Sequence, residues 1–174
     1  MSFGTAFGGT VQPIISKSTL EQYIDQGVGY SLSIEVEVSN GATKHYAFRV
    51  PAGYTVDIFS RSVSTGGGLR YKPIKGATFT LGSEIVGAIT NLNERIGTAS
   101  PVAIYDATGV SGGTAFDIIR TPSTQGSSGN PVTYSATGSK RSLESDTDYI
   151  LEFANIDNSD IWCIYSLVFT AVSA

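Results

Sequence analysis

The chain has 174 residues and a net charge of −4, and only 15% of its residues are charged, against about 25% in an average domain. That length suits one domain, and the acidic balance excludes a nucleic-acid binder that works by neutralising phosphates. Twenty glycines and many Ser and Thr residues point to short strands, frequent turns and a lightly charged surface.

Residues 1–17, MSFGTAFGGTVQPIISK, mix small residues with Phe3, Phe7, Val11, Ile14 and Ile15. A disordered tail ordinarily lacks such apolar residues. They suit an arm that docks, either on a partner or across its own domain. The segment has no basic start followed by a long apolar run, so no secretory signal is expected and synthesis in a cytoplasm is. In STLEQYIDQG (18–27), Ser18 and Glu21 have capping-box spacing. Leu20, Tyr23 and Ile24 fall at helical spacing and Gly27 suits the end, so one short helix is predicted. Residues 1–29 are thus read as an arm with a short helix, and residues 30–174 as a β-domain.

From Tyr30 the pattern has period two. In 31–38, Leu32, Ile34, Val36 and Val38 face inward while Ser33, Glu35 and Glu37 face out. SNGAT follows, and its Asn-Gly pair predicts a hairpin to the strand at 44–50, which carries Tyr46, Phe48 and Val50. Strands are predicted at 54–63 and 69–75, with Pro73 placing the second at an edge or a strand end. ATFTLG, EIVGAI, PVAIY and AFDIIR are short strand candidates. Residues 121–139 carry no charge and read as a long excursion with a strand near VTYSA.

The chain closes with TDYILEFANIDNSD and IWCIYSLVFTAV. The final run, Ile161 to Val172, has 12 residues, short of the roughly 20 that span a membrane. Its β-branched and aromatic content favours a strand over a buried helix. NIDNSD then predicts a hairpin between the last two strands. Ile161, Cys163, Tyr165, Leu167 and Phe169 point one way, and Trp162, Ile164, Ser166, Val168 and Thr170 the other. An apolar second face implies either deep burial or contact with another subunit. About eight to ten strands at this turn spacing predict an all-β sandwich, jelly roll or barrel.

The residues offer little catalytic chemistry. GVSGG (109–113) fits G-x-S-x-G, and His45 with Asp57 or Asp106 stands upstream in the order of chymotrypsin-like proteases. Val110 occupies the position where those enzymes carry Asp, and His45 lacks their sequence context. An α/β-hydrolase would need its histidine after the serine. A glycine-rich turn is the better reading. One His and one Cys cannot furnish a transition-metal site. Glu144, Asp146, Asp148, Asp157 and Asp160 gather near the C-terminus without EF-hand spacing. GGGLRYK lacks the G-K-[ST] of a phosphate loop. Arg61, Arg70, Lys72 and Lys75 are candidates for a basic patch on one hairpin. The lone Cys163 reads as a small buried hydrophobe. No enzyme activity, cofactor or metal is expected, and neither nucleic acid nor membrane is an expected partner.

The assembled pattern runs through IEVEVSNGATKHYAFRVPAG, VDIFSRSVSTGGGLRYKPIKGATFT, NLNERIGTASPVAIYDATGVSGGT and GSKRSLESDTDYILEFAN before the final strand. Over roughly residues 30–172 it resembles small virion structural proteins of tailed bacteriophages, of the head decoration or cement type. The resemblance implies a jelly-roll-like sandwich that forms a dimer or trimer. It implies the virion surface as location and the major capsid protein as partner. Phe3, Phe7, Val11, Ile14 and Ile15 are then expected to grip the shell, and Trp162, Tyr165 and Phe169 to form the self-association face. The alternative is a tail or fibre module that binds a receptor or carbohydrate, for which exposed tyrosines would suit sugar stacking.

Overall fold

The computed structural model describes residues 17–122 and 132–174, the side chains of 137–139 excepted. The arm residues Phe3, Phe7, Val11, Ile14 and Ile15 therefore lie outside the described residues. The described chain forms α1 (Thr19–Asp25), β1 (Gly29–Val38), β2 (Thr43–Val50), β3 (Tyr54–Thr65), β4 (Leu69–Glu84) and β5 (Ile89–Asn91). It continues as β6 (Ala103–Ala115), β7 (Ile119–Arg120), β8 (Val132–Leu143), β9 (Thr147–Asn155) and β10 (Ile161–Ser173).

Helix α1 begins as its sequence dictates. The Ser18 hydroxyl accepts from the Glu21 amide at 3.3 Å, and the Glu21 carboxylate accepts from the Ser18 amide at 2.6 Å. The chain leaves the helix through Gly27 in the left-handed region. Asn91 and Asn93 tie this end to the sandwich by donating to the carbonyls of Gly27 at 2.8 Å and Ile24 at 3.0 Å.

The strands form two antiparallel five-stranded sheets, ordered β5-β1-β10-β3-β8 and β6-β2-β9-β4-β7. Without the edge additions β5 and β6, the two four-stranded layers have the strand order of a jelly roll. The all-β sandwich expected from the periodicity is the observed fold.

Two expected hairpins are corrected. β1 pairs with β10 and β5, whereas β2 pairs with β6 and β9, so the Asn40–Gly41 turn carries the chain from one sheet to the other. NIDNSD likewise links β9 in one sheet to β10 in the other. The two arches brace each other. Asn40 donates its amide to Asp160 Oδ1 at 2.8 Å and its side-chain nitrogen to the Asn158 carbonyl at 3.0 Å. Buried Asn155 donates to the Val38 and Ser159 carbonyls at 2.9 and 2.8 Å. A turn signal reports a reversal of direction, and these side-chain bonds decide that the reversal spans the core.

The middle of the chain also differs. LRYKPIK and ATFTLG are one strand, β4, with Pro73 inside it. At Pro73 the free edge of β4 changes partner, from β7 at Arg70 and Tyr71 to β6 from Ile74 onward. The missing N–H falls where the ladder is already broken. EIVGAI is largely a turn through Gly87, with β5 starting only at Ile89. β4 and β6 run on together and close the β2-β9-β4-β6 edge into a ring. Ala47, Ile74, Ala107 and Ile150 are buried beneath that ribbon, packed by Phe79, Tyr105 and Val110. Gly113 permits the curl, because its φ is +79° and a Cβ there would lie 2.8 Å from the Ala77 amide nitrogen.

The main core lies between the sheets. Cys163, Tyr165, Leu167 and Phe169 of β10 are buried against Tyr46, Phe48, Tyr71, Leu151 and Phe153 of the opposite sheet. Phe153 packs on Tyr71 and Tyr165, with ring centroids 5.1 and 5.5 Å apart. Tyr71 donates its hydroxyl to that of Tyr165 at 2.7 Å, satisfying a polar pair inside the core. Burial pushes the Tyr71 and Tyr165 hydroxyls up in pKa, and the Cys163 thiol from its ordinary 9.0 to about 12. These groups stay protonated in the folded chain at pH values where the unfolded chain releases their protons. Their contribution to stability is complete below about pH 8.5 and is lost as pH rises towards the raised folded values. The urea midpoint of unfolding is expected to fall steadily from pH 8.5 to 11; a constant midpoint over that range would contradict this core.

Candidate interaction surface

Among the described residues, the outward face of β10 places two large, partly exposed apolar side chains next to each other on a middle strand. Trp162 and Ile164 stand on this middle strand, 45% and 40% exposed. Their neighbours on β1 are Glu37 and Glu35, and the row continues along Ser33 and Ser31. On the other side lie Ser64, Ser62 and Ser60 of β3, then Thr133 and Ser135 of β8. Hydroxyl pairs cross the strands, from Thr133 to Ser64 at 3.1 Å and between Ser31 and Thr90 at 2.9 Å. An apolar centre is thus bordered by neutral hydroxyls on one side and two carboxylates on the other. Strand periodicity alone produces the arrangement, because β10 alternates core residues with Trp162, Ile164, Ser166 and Val168.

The expected self-association set divides. Trp162 is on this outer face, but Tyr165 and Phe169 are 1% and 0% exposed in the core. Phe169 stacks on Tyr30 at 5.7 Å and meets Phe48 edge-on at 5.5 Å. An odd-numbered and an even-numbered residue of one unbroken strand cannot share a face, so Ile164 takes the place beside Trp162. The even-numbered face of β10 already contained this signal.

The catalytic candidates are held apart by other bonds. GVSGG lies within β6, with Gly109, Gly112 and Gly113 at positive φ, as a bulged strand rather than a nucleophile turn. Ser111 bonds to the Thr78 hydroxyl at 2.9 Å, and His45 Nε2 lies 3.3 Å from Glu152 Oε2. No hydrogen bond joins Ser111 to His45 among the described residues. Asp57 holds Lys140 and Ser142, at 2.8 and 2.6 Å.

The supposed basic hairpin is also dispersed, because β3 and β4 lie in different sheets. Arg70 and Lys72 share the buried carboxylate of Glu152, at 3.4 and 3.0 Å. Lys75 pairs with Glu144, which raises the lysine pKa through their hydrogen bond. Arg61 turns inward to Asp117 at 3.0 Å.

The C-terminal acids serve loops and strands. Asp148 takes Arg49 in a two-pronged pair at 2.8 Å each, Asp157 accepts from the Gly68 amide at 2.9 Å, and Asp160 holds Asn40. Among the described residues, no group of three His, Cys, Asp or Glu is placed to hold a metal ion. No helix among them is long and apolar enough to cross a membrane. Comparison with family models, curated proteins and solved structures finds no match for the chain.

The two faces of β10 should separate in a denaturation experiment. Phe169→Ala removes a fully enclosed ring and should cost about 3–5 kcal/mol. Trp162→Ala, on the open face, should cost the single chain about 1 kcal/mol or less, measured at a dilution where copies are apart. Urea titration of both variants checks this, and equal losses would contradict the assignment of faces.

Proposed function

We propose that this chain is a non-enzymatic virion structural protein of a tailed bacteriophage, a decoration or cement protein that stabilises the head shell from outside. Its partners on this reading are the major capsid protein and further copies of itself. The observation that carries the reading is the pair Trp162 and Ile164, exposed on the middle strand of a sheet with no charge at its centre. Large exposed apolar residues grouped on one face mark an interaction site more often than solvated surface. Jelly rolls occur in capsid and lectin domains, an analogy of fold and not of site. The sequence pattern of residues 30–172 supports the same reading.

The occupant of the face is a second copy of the chain. A twofold axis parallel to β10 would lay Trp162 against its own counterpart. The same axis would set the Glu35 and Glu37 row of each copy over the Ser60, Ser62 and Ser64 row of the other, so no like charges meet. Closed pairing leaves the opposite sheet free for the shell. A half-exposed indole is also a sugar-stacking platform, which favours carbohydrate binding as the second reading.

Sedimentation analysis of the full chain and of Trp162→Glu decides between them. The chain should sediment as an oligomer, and the variant as a folded monomer that no longer binds isolated shells. A monomeric parent, or an oligomer that survives the substitution, would remove the face from the proposal. Binding on a glycan array that Trp162→Glu abolishes would favour the second reading.

A further inference from the structure

The β3–β8 seam holds a charged cleft that the proposed function does not use. Ile58 pairs with Arg141 but Ser60 pairs with Thr137, so the seam breaks around Phe59. Against β10 the register also shifts at this place, but here the extra residue is on β3: Ile58 faces Phe169 and Ser60 faces Val168. The extra residue shifts the alternation, and Arg61 takes the core-facing position beside Leu167. An arginine thus enters the sandwich from a central strand, with its side chain only 15% exposed.

The surroundings satisfy this arginine in part. Its Nη1 donates to Asp117 Oδ2 at 3.0 Å, but its buried Nε has no hydrogen-bond partner. Arg141 Nε lies 2.8 Å from the same Asp117 oxygen, and its guanidinium sits 4.6 Å over the Phe116 ring. Lys140 reaches Asp57 Oδ2 at 2.8 Å. Arg61, Lys140, Arg141 and Asp117 line a cleft of about 130 Å³ with Ile58, Ser60 and Ala136. That volume exceeds by about tenfold the ~10–15 Å³ that one water needs.

Three cations thus stand around two carboxylates, in a chain whose net charge is −4. The Ser142 hydroxyl further occupies Asp57. A water could satisfy the Arg61 Nε donor but would leave the excess positive charge in place. An oxyanion answers both, since guanidinium donors match the oxygens of carboxylate and phosphate. We propose that this cleft binds a single oxyanion group, a phosphate or a carboxylate, held by Arg61 from inside the sandwich and by Lys140 and Arg141 at its rim.

The test follows the Nε–Hε resonance of Arg61 by NMR during titration of the full chain with inorganic phosphate. Sodium chloride at matched ionic strength is the control, and acetate forms a second arm. A saturable shift with phosphate or acetate, absent with chloride, is expected. The anion that saturates at lower concentration identifies the ligand group as phosphate or carboxylate. Lys140→Gln and Arg141→Gln, both at the exposed rim, should each weaken that binding roughly tenfold. Arg61→Gln should abolish it, and the rim variants carry the test if that protein does not fold. An unmoved Arg61 resonance, an equal response to chloride, or undiminished binding in both rim variants would overturn the proposal.

Discussion

The fold depends on burying one face of β10 between β1 and β3, against the aromatic residues of the opposite sheet. Cys163, Tyr165, Leu167 and Phe169 supply the middle of the core. Their partners Phe48, Tyr71 and Phe153 come from β2, β4 and β9. The strand that joins these layers is the last one described, and it pairs with β1 and β3 across roughly a hundred residues or more. Contacts of such sequence separation close large loops before they contribute stability. The Tyr71–Tyr165 hydrogen bond then fixes the spacing of two sheets that apolar packing alone would leave less defined.

Periodicity and capping made much of this legible. The alternation of Leu32, Ile34, Val36 and Val38 identified buried positions that the fold confirms, and Ser18 with Glu21 marked the start of α1. Alternation assigns a face, however, and not a neighbour. Asn40–Gly41 reads as a hairpin because the local chain reverses, yet the bonds from Asn40 and Asn155 come from a segment more than a hundred residues away. The inward turn of Arg61 was hidden for a related reason. A single extra residue near Phe59 exchanges the two faces of β3, and nothing in VDIFSRSV announces it. The outer face of β10 was readable, but Tyr165 and Phe169 were grouped with Trp162 by residue type when strand parity separates them.

Charge is used sparingly and mostly within the molecule. Lys17, Arg49, Arg61, Arg70, Lys72, Lys75, Lys140 and Arg141, eight of the 11 basic residues, are paired with carboxylates. Lys44, Arg95 and Arg120 remain, which is too few for docking driven by a basic surface. On the proposed reading, association would rest on shape, apolar contact and hydroxyl groups, all of which the outer face of β10 offers. Contacts without charge are little affected by salt screening, which would suit the proposed role.

The proposed role makes the stoichiometry of the chain its most direct measure. On that role, quantitative mass spectrometry of purified virions, referenced to the major shell protein, would give the copy number. Copies comparable in number to the shell protein are the expected result. A handful of copies, or none, would contradict a decoration protein.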